Sequence, residues 1–189
     1  QVQRQRDVLA KLTAKQRQEW SKAIGESLDL DRVGQIDFAA PPLQATPEDW
    51  LGTAVGSYDA QPVTVVHFFA NGCINCQRNY EHYRKWDETF RRRGVQIVGI
   101  HTPETREERE RPLLERRVTE AQFEFPILID NQSANWNAWG NSMWPSVYLV
   151  DRRGRVRAWW FGELKWQGAT GEQLIADKIE ALLAEDAAR

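Results

Sequence analysis

The run Val63-Thr64-Val65-Val66-His67-Phe68-Phe69 is almost wholly apolar and reads as a buried strand, while Gln77 onward reads as an amphipathic helix. At the handover between them stands Ala70-Asn71-Gly72-Cys73-Ile74-Asn75-Cys76, which holds the only two cysteines among 189 residues. No other feature constrains the chain as strongly. Free N–H groups and the macrodipole at a helix N-terminus favour an anion, so a sulfur at Cys73 can ionise near neutral pH and act as a nucleophile. Cys76 lies one helical turn further on, close enough to attack a mixed disulfide formed at Cys73.

Other uses of two cysteines fit less well. A disulfide enclosing two residues removes little entropy from the unfolded chain and would stabilise weakly. Half a zinc site lacks its other half, because no second cysteine pair exists and His67, His82 and His101 are scattered. Capture of Cu(I) by the two thiolates and a histidine is the chief alternative, since soft sulfur ligands select that ion. A peroxidatic site is weaker still, for no Thr-Pro-x-x-Cys context is present.

The pattern around this junction alternates. Strands are expected at Val63–Phe69, Val95–Ile100, Pro126–Ile129, Ser146–Asp151 and Val156–Phe161, the last two joined as a hairpin through Arg152-Arg153-Gly154. Helices are expected from Ile74 to Arg93, stopped by Gly94, and from a Thr102 cap with Pro103 at the first position to about Gln122. A short helical turn follows at Asn135–Gly140, and a last helix at Glu172–Ala184 behind Thr170. This order implies an α/β fold with a central mixed sheet flanked by helices. Upstream, Asp7–Leu28 has helical spacing, with Thr13 and Gln16 as a capping box, and Thr46-Pro47 starts a short helix. The break at Pro41-Pro42 divides a helical N-terminal extension, 1–40, from a domain, 41–189; the extension is a packing appendage or an interaction arm.

Charge excludes some partners. Twenty-five basic and 27 acidic side chains nearly cancel to a net −2, which argues against nucleic acid and membrane surfaces; Arg91-Arg92-Arg93 reads as a solvated helix end. No stretch approaches the roughly 18 apolar residues of a membrane span. The first 18 residues are too polar for a signal peptide, and the chain starts at Gln1 rather than Met. It reads as a processed or trimmed product from which a signal or anchor segment can have been removed.

Four further groups bear on the site. Pro145, directly before a strand, reads alone as a backbone stop. Glu104 either complements a helix dipole or relays a proton to or from Cys76, for which burial and a raised pKa would suit it. Trp136, Trp139 and Trp144 form either core or an apolar floor for a partner polypeptide. His67 and His101 fall on expected strands, as satisfied core residues or as groups that tune the thiolate.

The segments Phe69 to Arg78, Val98 to Glu104, Trp136 to Gly140 and Trp144 to Gly154 together resemble the TlpA-like, or redoxin, branch of the thioredoxin superfamily. Within it they are similar to the C-terminal redox domain of DipZ-type proteins. The resemblance covers about residues 46–185 and leaves 1–40 unexplained. It implies a thioredoxin-like fold and a protein-disulfide oxidoreductase. Cys73 would then be the attacking sulfur and Cys76 the resolving one. Pro145 would be the cis proline beside them, with the backbone of Trp144 free to pair with a substrate strand. Glu104 matches the family's acidic position after the second strand. No cofactor beyond a redox-active Cys73–Cys76 disulfide is implied. The implied partners are a protein dithiol or disulfide and a membrane thiol electron donor, and the implied location is extracytoplasmic, in the periplasm or at the cell surface. Three positions depart from the family. Phe68-Phe69 replaces an aromatic pair ending in Trp, and His67 stands where acidic or apolar residues are common. Gly72 replaces a bulky residue before the first cysteine, which leaves Cys73 more open to substrate.

Overall fold

The computed structural model describes Thr13, Lys15, Gln16 and residues 38–188. The chain divides into two units, Gln1–Gln35 and Ile36–Arg189. In the first, the Gln16 N–H donates to Thr13 Oγ1 (3.3 Å) and the Thr13 N–H to Gln16 Oε1 (2.9 Å), which is the expected capping box. The rest of the helix expected over Asp7–Leu28 lies outside the described residues.

The second unit is one seven-stranded mixed sheet. Its strands are β1 (Phe38–Ala39), β2 (Trp50–Leu51), β3 (Val63–Phe69), β4 (Val95–His101), β5 (Ile127–Ile129), β6 (Ser146–Asp151) and β7 (Arg155–Phe161). Their spatial order is β1-β7-β6-β3-β4-β5-β2. β3 and β5 pair parallel to β4, while β6 pairs antiparallel to β3 and β7 antiparallel to β6. All seven residues of β3 are buried, as a strand covered by layers on both faces must be. Val63, Val65 and Phe69 face one core with Tyr83, Trp86, Ile175 and Ile179; Val66 and Phe68 face another with Trp50, Tyr58, Trp139 and Tyr148.

Four α-helices accompany the sheet: α1 (Ile74–Phe90), α2 (Arg111–Glu120), α3 (Ala134–Ala138) and α4 (Gly171–Ala187). The first core is closed by α1 and α4. A three-residue 3-10 turn, Arg91–Arg93, ends α1, and Gly94 follows at φ 89°, a left-handed position that a side chain would strain.

Two expectations change. The helix expected from Thr102 begins only at Arg111, with Pro112 in its first turn. Thr102 cannot cap it, because its N–H is committed to Phe69 O (3.0 Å) and its hydroxyl to Asp130 (3.1 Å). The intervening 103–110 form a loop with a single 3-10 turn, Glu107–Arg109. The sheet domain also begins ahead of Pro41. Phe38 and Ala39 pair with Val156 and Arg155 of β7, so the sheet takes in two residues that the sequence reading assigns to the extension. Hydrogen bonds between Gln44 and Asn135 and from Tyr58 to Pro41 O carry that segment across the second core.

Candidate functional site

Phe69 ends β3, and the turn after it carries the two cysteines into α1. Cys73 is the N-cap, with an extended backbone (φ −72°, ψ 103°), and its Sγ accepts the Cys76 N–H at 3.2 Å. The sulfur therefore sits among the free N–H groups of a helix start, where a thiolate is favoured. The pair is closed as a disulfide with Cα atoms 5.2 Å apart. Exposure separates the two residues: Cys73 is 9% exposed and Cys76 fully buried. Only Cys73 offers a path to a partner.

The Trp144–Pro145 peptide bond is cis, and Pro145 is buried at the start of β6, beside β3. The Pro145 carbonyl accepts from the Gly162 N–H at 2.8 Å. Trp144 packs against the core that contains both cysteines and stacks on Trp136 at 4.1 Å between ring centroids. Its main chain makes no hydrogen bond among the described residues, nor does its indole Nε1. Trp139 is buried in the second core, so of the three tryptophans it is the one used purely for packing. Ile74, between the cysteines, and Met143, before Trp144, are about half exposed (57% and 48%), as is Phe161.

The loop 103–110 returns to the cysteine turn through Glu108 rather than Glu104. Glu108 is buried, and its Oε1 accepts the Gly72 N–H at 3.1 Å. Glu104 is exposed; partial desolvation and the neighbouring Glu108 charge hold its carboxyl above the usual range, and its own N–H donates to Glu108 Oε2 at 3.3 Å. The two histidines are core residues. His67 stacks on Tyr83 at 4.0 Å, and burial pushes its pKa down to about 3 and that of His101 to about 4. Both are neutral at pH 7, so His101, 3.9 Å from Glu108, forms no ion pair with it there. Among the described residues no group of three or more His, Cys, Asp and Glu side chains is placed to hold a metal ion. The copper-carrier alternative is thus left without a third ligand.

Sequence reasoning also missed Asn79. Its amide donates to Gly162 O (3.1 Å) and accepts from the Leu164 N–H (2.8 Å), tying α1 to the segment that in turn holds Pro145. A lone Asn on a helix carries no signal of such a tie. Glu108 is hidden for another reason: it stands in the charged run Arg106 to Arg111, inside the stretch expected as a helix from Thr102.

A disulfide at a helix N-terminus, one sulfur reachable and the other sealed, with a cis proline at the start of the neighbouring strand, defines a thioredoxin-like dithiol–disulfide oxidoreductase site. The particular family follows from sequence. The pattern of the AhpC/TSA family matches residues 36–159, and the chain belongs to that family. It is 36% identical over 125 residues to the protein DipZ of Mycobacterium tuberculosis, a match covering 66% of this chain and 17% of that protein. The chain therefore spans only a small part of DipZ. It is 20% identical over 122 residues to the thiol-disulfide oxidoreductase YkuV of Bacillus subtilis, covering 65% of this chain and 78% of that one. Among solved structures, a thiol-disulfide isomerase from Corynebacterium glutamicum superposes with a TM-score of 0.58 at 23% identity, over 76% of this chain and 96% of the other.

Proposed function

We propose that this domain exchanges disulfides with polypeptide substrates through Cys73 and Cys76. In the reductive direction both cysteines begin as thiols. The Cys73 thiolate attacks a substrate sulfur, the substrate S–S bond breaks, and a Cys73–substrate disulfide forms. The Cys76 sulfur then attacks Cys73, closing the internal disulfide and releasing the substrate as a dithiol. Two electrons and two protons pass from the enzyme to the substrate. The oxidative direction is the reverse, and neither needs a redox group beyond the cysteine pair.

The observation that carries this reading is the unequal burial of the two cysteines at the start of α1, together with the unpaired Trp144 main chain. An extended substrate segment can pair with that main chain ahead of β6, and Ile74, Met143 and Phe161 offer exposed apolar surface. Glu104 acts at most from the rim of the site. The chain acts outside the cytoplasm and, as a reductase, takes its electrons from a thiol relay held in the membrane, as its resemblance to the redoxin branch implies. No helix among the described residues is long and apolar enough to cross a membrane.

Trapping tests the assignment. Cys76→Ser should accumulate a mixed disulfide between Cys73 and its substrates, released by dithiothreitol, and Cys73→Ser should trap nothing. Continued turnover by Cys76→Ser would reverse the assigned roles.

A further inference from the structure

Glu108 has no part in the exchange just described, yet the fold buries it. It comes from a run of charged residues, but only 6% of it is exposed. Its two oxygens accept two backbone N–H groups, from Gly72 on the cysteine turn (3.1 Å) and from Glu104 (3.3 Å). Among the described residues its only ion-pair distance is to His101, whose imidazole burial keeps neutral. A carboxylate is thus held in the interior by backbone donors alone, one of them the N–H of the residue before Cys73. Gly72 makes room for it. A Cβ at position 72 would lie 2.7 Å from Glu108 Oε1, closer than packed atoms allow. The missing side chain before Cys73 and the buried carboxylate are two halves of one arrangement.

We propose that Glu108 is a positioning residue for Cys73: it clamps the turn through the Gly72 N–H, and its negative charge opposes ionisation of the Cys73 sulfur, poising the pair toward the disulfide. The proposal rests on the exchange reading above. When a donor dithiol reduces the pair, the Cys73–Cys76 bond breaks and a donor disulfide forms. Two electrons move to the two sulfurs, and the donor's two protons end there when both finish as thiols. The helix N-terminus favours leaving Cys73 as a thiolate, whereas a buried carboxylate bonded to the preceding residue disfavours that anion. Destabilising the reduced form makes the pair a stronger reductant.

The titratable and charged groups facing Glu108 come from every element around it. They are His101 on β4, Glu104 on its own loop and Tyr80 on α1, while Arg117 on α2 acts on Tyr80 and is paired with Glu120. Burial first, and then the Glu108 charge, raise the Tyr80 hydroxyl above its ordinary range, while Arg117 opposes them. Tyr80 and His101 are therefore neutral at working pH, leaving Glu108 as the buried charge of the group. Arg78, on the same helix, is engaged by Glu163 and Asn75.

The test is the pH dependence of iodoacetamide alkylation of Cys73 in the full chain carrying Cys76→Ser. Adding Glu108→Gln keeps the shape and removes the charge, and should lower the alkylation midpoint by about one unit. With both cysteines present, the same variant should move the equilibrium against glutathione up to tenfold toward the dithiol, about 30 mV for a two-electron couple. Glu108→Asp, which retains the charge, should fall between. Gly72→Ala should displace the carboxylate and lower the midpoint in the parent, but not in the Glu108→Gln background. An unchanged midpoint in Glu108→Gln overturns the proposal. If that variant does not fold, an unchanged midpoint in Gly72→Ala overturns it instead. Failure of the exchange reading is separate: Cys73 would alkylate normally while Cys76→Ser trapped no substrate.

Discussion

Replacing Asn79 by alanine removes the buried side chain that bonds the cysteine-bearing helix to the backbone of the segment behind Pro145. Asn79 is 1% exposed, and its loss orphans the Leu164 N–H and the Gly162 carbonyl. Leu164 is fully buried, so its N–H finds no water, and an unsatisfied buried donor costs about 1–3 kcal/mol. Gly162 is only half-buried, and its carbonyl can be rehydrated at the lower end of that range, about 1 kcal/mol. The expected destabilisation is about 3 kcal/mol. With a urea m-value of about 2 kcal/mol/M, the unfolding midpoint should fall by about 1.5 M while m is unchanged. The same change should slow disulfide exchange, because the Gly162 N–H is what holds the Pro145 carbonyl. Asn79→Asp retains the acceptor for Leu164 but places an anion against the Gly162 carbonyl, so it should recover only part of the loss. A midpoint within about 0.3 M of the parent for Asn79→Ala would refute the reasoning, since two orphaned groups cannot cost so little.

Two further outcomes follow from the β3–β4 pairing. A Cβ on Gly99 would meet Ile127 Cδ1 at 2.6 Å, His67 Nε2 at 2.9 Å and Phe69 Cε1 at 3.2 Å, so Gly99→Ala should destabilise by about 1–3 kcal/mol in urea unfolding; a neutral result would mean that the β3–β4–β5 layer is not close-packed there. His67 and His101 have folded pKa values depressed to about 3 and 4, below the unfolded value near 6.5. Below pH 6.5 the unfolded chain therefore binds protons that the native chain does not. The stability these groups permit is complete above that pH and falls as pH drops, by about 1.4 kcal/mol per unit for each histidine. Between pH 7 and 5 the loss should total roughly 4 kcal/mol, and His67→Phe should halve it. Equal stability at the two pH values would show that the histidines are hydrated in the fold.

The cysteine turn, β3, α1 and the β6–β7 hairpin were legible because each is announced locally. An unbroken apolar run makes β3, a 3.6-residue period makes α1, and Asp151-Arg152-Arg153-Gly154 makes the hairpin turn, where Asp151 accepts the Arg153 and Arg155 N–H groups and Gly154 takes φ 70°. β1 and β2 were illegible for the opposite reason. Two residues are too few to show a period of two, and they become strands only because β7 and β5 offer edges. Thr102 shows a local signal overruled. Its sequence context is that of a cap, but pairing beyond the end of β3 uses its N–H, and Asp130, 28 residues away, takes its hydroxyl.

The sequence by itself determined that two sulfurs stand at a strand-to-helix junction in a layered α/β fold, with a proline before a later strand. Those features depend on neighbours within one or two turns, and local propensity and spacing specify them. Only the tertiary structure decided which sulfur is reachable, that Glu108 rather than Glu104 is buried against the turn, and that Gly72 is small to admit it. The Gly72–Glu108 contact joins residues 36 apart, and the tie between Asn79 and Leu164 joins residues 85 apart. No local pattern encodes such pairs, because the free energy that selects them comes from filling a shared interior without leaving a buried donor or charge unmatched.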